Sequence, residues 1–182
     1  VIHGISLANP DYSNTPESIK ALNYKLYESL IDVVKNTNVI VCLENLFTGS
    51  PKGLIEGTCS DPHEAVEYID HLNALAGKEC FGLCLDTGHL NLLRKSFRTY
   101  VPILGKRIKV LHIHDNNGTT DQHLMPYGRG TIDWPSVMRG LNAIGYDDCF
   151  NYEIPGERRL PMPVRDAKAE YVKAITKYLF SL

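Results

Sequence analysis

Val39-Ile40-Val41-Cys42-Leu43-Glu44 is a run of strand-forming residues that ends on an acid. Three later runs repeat the pattern: Leu83-Cys84-Leu85-Asp86, Val110-Leu111-His112-Ile113-His114 and Phe150-Asn151-Tyr152-Glu153. A single carboxylate in such a place is an ordinary strand-end or loop acid. Four successive runs that each end on a metal-type ligand point to one shared site, because parallel strands closed into a barrel bring their C-terminal ends together. Two glutamates, an aspartate and a histidine in one pocket are most simply held by a divalent cation between them.

Strand alternation gives a consistency test. Ile40, Cys42 and Glu44 share one face, as do Gly82, Cys84 and Asp86, then His112 and His114, then Cys149, Asn151 and Glu153. Each candidate ligand follows a small or polar residue two positions earlier, which suits a crowded barrel interior with the larger Val, Leu, Phe and Tyr facing helices.

Working outward, apolar runs near 1–7, 39–45, 81–86, 108–114 and 148–154 alternate with amphipathic stretches near 16–36, 62–76, 90–104, 134–144 and 164–181. Thr15-Pro16-Glu17, Asp61-Pro62 and Asp133-Trp134-Pro135 read as helix starts, with proline in the first turn. Gly77 and Gly145 read as helix ends. Five βα units in a row imply an α/β fold with a parallel sheet. An open doubly wound sheet and part of a (βα)8 barrel both accommodate them. No glycine-rich phosphate loop follows the first strand, and functional-looking residues come from nearly every strand end. Five units alone leave two apolar sheet edges open. The reading is therefore a (βα)8 TIM barrel of which the chain supplies about the last five units, as a single domain over 1–182, with N-terminal units expected before Val1.

The 182 residues are 43% hydrophobic, enough for one ordinary core, and carry a net charge of −2. That balance does not favour a polyanion partner overall and leaves a local basic patch open, and no apolar run reaches the length of a membrane span. The five cysteines are an odd number without metal-finger spacing. Cys42, Cys84 and Cys149 are expected to be buried thiols in a reducing cytoplasm.

Other residues extend the site. His89 follows Asp86 in Asp86-Thr87-Gly88-His89, and His3 ends the first run. Asp121 and His123 lie in a long loop after His114, a kind of segment that is usually functional or disordered. The loop continues through Gly128-Arg129-Gly130, where Arg129 suits a phosphate or a hydroxyl-rich ligand. His63 and His71, on a helix, are assigned no role. Glu157-Arg158-Arg159 reads as a solvated charge run, and Tyr24, Tyr27, Tyr171 and Tyr178 as helix packing residues.

Cys42-Leu43-Glu44-Asn45, Leu85-Asp86-Thr87-Gly88-His89, His112-Ile113-His114-Asp115, Gly128-Arg129-Gly130-Thr131-Ile132-Asp133-Trp134 and Tyr152-Glu153-Ile154-Pro155 together resemble the xylose isomerase-like TIM-barrel superfamily over the whole chain. It includes sugar isomerases and epimerases and also AP endonucleases of the endonuclease IV type. The resemblance implies that Glu44, Asp86, a histidine of the fourth visible strand and Glu153 hold the metal. The family spacing, a histidine three residues before an acid, selects His112 with Asp115, whereas strand geometry alone leaves His114 open. The resemblance also makes His89 a substrate contact in the epimerases and a second-metal ligand in the endonucleases. His3, Asp121 and His123 match positions that hold extra zinc ions in the endonucleases.

Two functions of different class follow. The first is a divalent-metal-dependent isomerase or epimerase of a sugar or sugar phosphate, with Mn, Mg, Co or Zn as the ion. It works through an enediolate, with Glu44 and Glu153 as paired proton carriers. His3, His89, His114, His123 and Arg129 are its candidate substrate contacts. The alternative is a zinc-dependent phosphodiesterase of abasic DNA, with a second ion on His89, Asp121 and His123. Against it stand the acidic balance and the lack of clustered Lys and Arg in the strand-end loops. A small-molecule partner is expected, with nucleic acid and membrane disfavoured and a homo-oligomer left open.

Overall fold

Thr15 starts the first helix as its place before Pro16 predicts, in a computed structural model that describes residues 1–6, 15–156 and 158–182. The Thr15 hydroxyl accepts from Ser18 N, and Ser18 returns a bond to Thr15 N, closing a capping box on α1 (Pro16–Glu28). The chain continues as α2 (Ile31–Val34), β1 (Val41–Glu44), β2 (Phe47–Ser50), β3 (Gly53–Glu56), α3 (Pro62–Ala76), β4 (Phe81–Asp86), α4 (Thr87–Leu92) and α5 (Phe97–Leu104). It ends with β5 (Ile108–Ile113), α6 (Trp134–Ala143), β6 (Cys149–Tyr152) and α7 (Met162–Leu179). Asp61 and Asp133 cap α3 and α6 through bonds from His63 N and Ser136 N.

The parallel sheet runs β1-β4-β5-β6, and Ile2 adds one parallel bridge to Leu43 on the outer side of β1. Spatial order thus follows chain order without reversal. A doubly wound sheet reverses at a switch point, whereas a barrel does not, so the order decides between the two architectures. Parity along the strands is as the sequence predicts. Leu43, Leu83, Leu85, Leu111 and Ile113 join Tyr27, Tyr68, Leu72, Val101, Trp134 and Val137 in one apolar core beneath the helices. Cys42, Glu44, Cys84 and Asp86 are buried without joining that core.

Several expectations need correction. The 16–36 stretch breaks at Ser29, whose hydroxyl donates to the Leu26 carbonyl and helps end α1. The 90–104 stretch is two helices, separated at Arg94, whose φ of +54° no helix interior tolerates. The 1–7 strand reduces to the Ile2 bridge among the described residues, and its seventh residue lies outside them. An antiparallel hairpin, β2–β3, turns at Pro51-Lys52 where no element was expected. Cys149 is exposed in this chain, while Cys42, Cys59, Cys80 and Cys84 are buried free thiols. Tyr27 is fully buried as expected, whereas Tyr171 and Tyr178 are about half exposed, at 48% and 51%. Glu157 lies outside the described residues. No helix among the described residues is long and apolar enough to cross a membrane.

Candidate metal and substrate site

Glu44 and Asp86 are the last residues of β1 and β4, His112 is next to last in β5, and Glu153 follows β6. One ligand atom from each of the four lies within 4.8 Å of all the others. His112 Nδ1 is the hub, 3.2 Å from Glu44 Oε1, 3.2 Å from Glu153 Oε2 and 3.9 Å from an Asp86 oxygen. Donors that share a small divalent ion at about 2.1 Å stand about 3 Å apart when at right angles. The spacing and the mixed carboxylate and imidazole donors therefore fit such an ion.

A second layer of histidines faces the first. His114 Nε2 lies 3.0 Å from Asp86, and its other nitrogen, Nδ1, is buried without a hydrogen-bond partner among the described residues. The His114 ring stacks on His123 at 4.0 Å between centroids and 8° between planes. His123 Nδ1 lies 2.8 Å from the Glu153 carbonyl, and its Nε2 lies 3.2 Å from Asp121. A carbonyl oxygen only accepts, so Nδ1 of His123 carries the proton and Nε2 faces Asp121. His123 holds this place with φ of +50°, a left-handed conformation that histidine adopts more readily than most residues.

The cluster's charges respond to one another. Burial works against a charged His89, yet the nearby Asp121 carboxylate, the Asp86 charge and the Asn45 carbonyl outweigh it and push the ring up to about 9. His112 is raised by its bond to Glu44, against burial. Burial opposes an ionised Asp86, but His114 and His89 hold it below the usual carboxylate range. Glu153 is raised, first by burial and then by the Asp86 and Glu44 charges, with His112 and His123 pulling the other way.

Residues without an assigned role build this arrangement. Thr87 Oγ1 donates to the His114 carbonyl at 2.7 Å and accepts from His114 N at 3.1 Å, tying the end of β4 to that of β5. Asp115, expected only as the acid of a motif, anchors the 114–133 loop. Its Oδ1 accepts from Asn116 N, Thr131 N and Ile132 N, and its Oδ2 from Trp134 Nε1 at 2.9 Å. A Cβ on Gly130 would lie 1.9 Å from the Asp115 carboxyl carbon, so only glycine lets the backbone wrap it. Glycines flanking Arg129 were the sequence signal. Phe47, from the hairpin, meets the His89 ring edge-on at 5.0 Å.

Gly88 performs a similar service for His114. A Cβ there would lie 1.9 Å from His114 Cε1. Gly88→Ala is expected to displace the ring from Asp86 and His123 and to destabilise the fold by about 1–3 kcal/mol, as overpacking does. Thermal unfolding with NMR of the two histidine rings checks this, and an unmoved His114 ring with an unchanged Tm contradicts it.

The remaining expected residues divide. His3 Nε2 reaches Glu44 Oε2 at 2.9 Å from an exposed position, its side chain 68% accessible. Arg129 is exposed in the loop, with no hydrogen bond or ion pair to a described residue. His89, Asp121 and His123 gather around Asp121, at 3.6 and 3.2 Å, but do not form a ligand-spaced trio. Three further ligand-spaced groups are Glu44, Cys84, His112, then Asp86, His89, His114 and His114, His123, Glu153, the last two built on His114. His112, not His114, sits in the group of four.

Comparison with known proteins adds to this geometry. The family described as the xylose isomerase-like TIM barrel matches residues 2–178. An uncharacterised protein of Methanocaldococcus jannaschii is 28% identical over 144 residues, 78% of this chain and 46% of the relative. The inosose isomerase of Bacillus subtilis is 26% identical over 171 residues, 89% of this chain and 58% of the relative. A solved D-psicose 3-epimerase from Clostridium cellulolyticum, with D-tagatose, superposes with a TM-score of 0.68 at 18% identity, over 93% of this chain and 60% of that one. The chain thus spans about half the length of the curated relatives it matches, and its sheet is an arc of the (βα)8 barrel.

Proposed function

Since the chain belongs to the xylose isomerase-like TIM-barrel family, we propose that it serves a divalent-metal-dependent isomerase or epimerase of a sugar, a sugar phosphate or a related polyhydroxy ketone. One observation carries the reading: four ligand atoms from four successive strand ends, two of them glutamates, converge within 4.8 Å. The names of the relatives, an inosose isomerase and a D-psicose 3-epimerase, agree with it.

Glu44, Asp86, His112 and Glu153 are the residues that would hold the ion. A bound Mn, Mg, Co or Zn ion supplies Lewis-acid polarisation of the substrate carbonyl and charge to offset the enediolate. The protein supplies the proton transfers. Glu153 is 41% accessible at its side chain, and its raised affinity for a proton suits a base. Glu44 is nearly enclosed, held by His3 and His112, and stands on a different strand from Glu153. One carboxylate takes the proton from the carbon beside the carbonyl, and the other returns one. Both carboxylates would also be among the residues that hold the ion. His89, with Nε2 free of the backbone, and His123 orient hydroxyls, with His3, His114 and Arg129 as further contacts.

The test is turnover of a panel of ketoses and keto-inositols in D2O with added Mn2+ or Co2+, followed by 1H NMR. The expected result is an epimer or isomer that carries deuterium at the carbon beside the carbonyl. Product that retains its original hydrogen at an inverted centre contradicts proton transfer through solvent-exchanging carboxylates.

The two ligand-spaced groups on His114 favour a second reading, a multi-zinc phosphodiesterase of abasic DNA. Net charge of −2 and exposed site loops with few basic residues weigh against it.

A further inference from the structure

We propose that Asn45 is a positioning residue that acts on two site groups at once, holding Asp86 with its side chain and fixing His89 with its main-chain carbonyl. The proposal rests on the isomerase or epimerase reading and identifies what sets the geometry of that site.

The β1–β4 ladder ends at the Glu44–Cys84 pair, one residue short of Asn45 and two short of Asp86. Asn45 continues the ladder with its side chain. Its Oδ1 accepts from Asp86 N at 2.7 Å and its Nδ2 donates to Asp86 O at 3.0 Å. Both bonds are buried, and both residues have no accessible surface. A primary amide is the only short side chain that donates and accepts in one plane, so it reproduces a missing backbone rung. The Asp86 carboxylate then projects from a backbone held on both polar groups.

The same residue governs His89. His89 Nδ1 lies 2.8 Å from the Asn45 carbonyl, and a carbonyl only accepts, so Nδ1 carries the hydrogen. Nε2 is thereby turned toward Asp121 and the mouth of the site, 3.6 Å from that carboxylate. Asn45 N–Cα–C therefore links the two groups rigidly: the side chain places a candidate metal ligand, and the carbonyl chooses which ring nitrogen meets the substrate. Groups that orient ligands in this way typically change metal affinity by 10–100-fold when altered.

Asn45→Asp keeps the shape but replaces the donor by a second acceptor facing the Asp86 carbonyl. Asn45→Ser is the milder second variant, retaining one hydrogen-bonding group. Two readouts apply to the full chain. In metal-free protein labelled with 15N-histidine, wild type should show a slowly exchanging His89 Nδ1 proton, assigned with His89→Gln. In Asn45→Asp that proton should exchange at least about tenfold faster, as expected of a locally opened bond. Titration with Mn2+ should show affinity about 10–100-fold weaker than wild type, with Asn45→Ser between the two. A wild-type His89 protonated on Nε2 alone overturns the proposal, as does a variant that keeps both the protected proton and wild-type Mn2+ affinity. Weaker Mn2+ binding with an unchanged His89 proton overturns the dual role. Absence of Mn2+ binding by wild type counts against the functional reading instead, because the ring measurement uses no metal and still decides the placement.

Discussion

Glu153→Gln is expected to lower turnover by about 10²–10⁴-fold, the usual contribution of a positioned proton carrier, while leaving most of the substrate affinity. The substitution keeps the side chain's size and one carbonyl oxygen, so the shape of the mouth survives. What disappears is an acid whose proton affinity is raised by burial and by Asp86 and Glu44, beside His112 at 3.2 Å. Steady-state kinetics with the substrate found in the D2O panel, paired with calorimetric binding of the same sugar, separate the two effects. A variant that binds and turns over as wild type removes Glu153 from the chemistry. A variant that loses binding and turnover in equal measure makes it a ligand for substrate or ion only.

The second large effect concerns stability. Asp115→Asn should cost about 1–3 kcal/mol through an orphaned buried donor, which for a chain of this size lowers Tm by several degrees. Asp115 is 1% accessible, and all four of its partners are N–H donors. An asparagine must turn its own N–H2 toward at least one of them. With its oxygen kept on the three backbone donors, the amide meets the Trp134 indole donor against donor. Trp134→Phe removes that conflict, so the double variant should be more stable than the sum of the single effects. The damage should also spread to the site, because the loop carries Asp121 and His123. Differential scanning calorimetry of the four proteins checks the cycle. Strict additivity, or an Asp115→Asn protein with the Tm of wild type, contradicts the anchoring role.

The residues explain why part of this molecule was legible and part was not. Parity along β1, β4 and β5 is a local property, so alternation alone placed Glu44, Asp86 and His112 on one face and the leucines on the other. Thr15, Asp61 and Asp133 were readable as caps because proline or a capping partner follows at a fixed offset. Helix breaks were not readable. The one at Arg94 depends on a left-handed residue that carries no glycine or proline signal. The hairpin was missed because Phe47-Thr48-Gly49-Ser50 is short and weakly alternating, although Pro51 and Gly53 mark its turn. Within the site, residue types announced themselves as candidate ligands, but their grouping did not. That His114 stacks on His123 and reaches Asp86, and that Asp115 serves the loop and not the site, depend on contacts across 9 to 28 positions of sequence.

The central claim is that Glu44, Asp86, His112 and Glu153 hold a single divalent ion for sugar chemistry. Elemental analysis of the purified full-length protein, beside a Glu44→Ala, His112→Ala double variant, tests it most directly. About one Mn, Mg, Co or Zn ion per chain, lost in the variant, is the result this account predicts. Two or three tightly bound zinc ions per chain, or metal content unchanged in the variant, contradict it, and the former directs the next assay to abasic DNA.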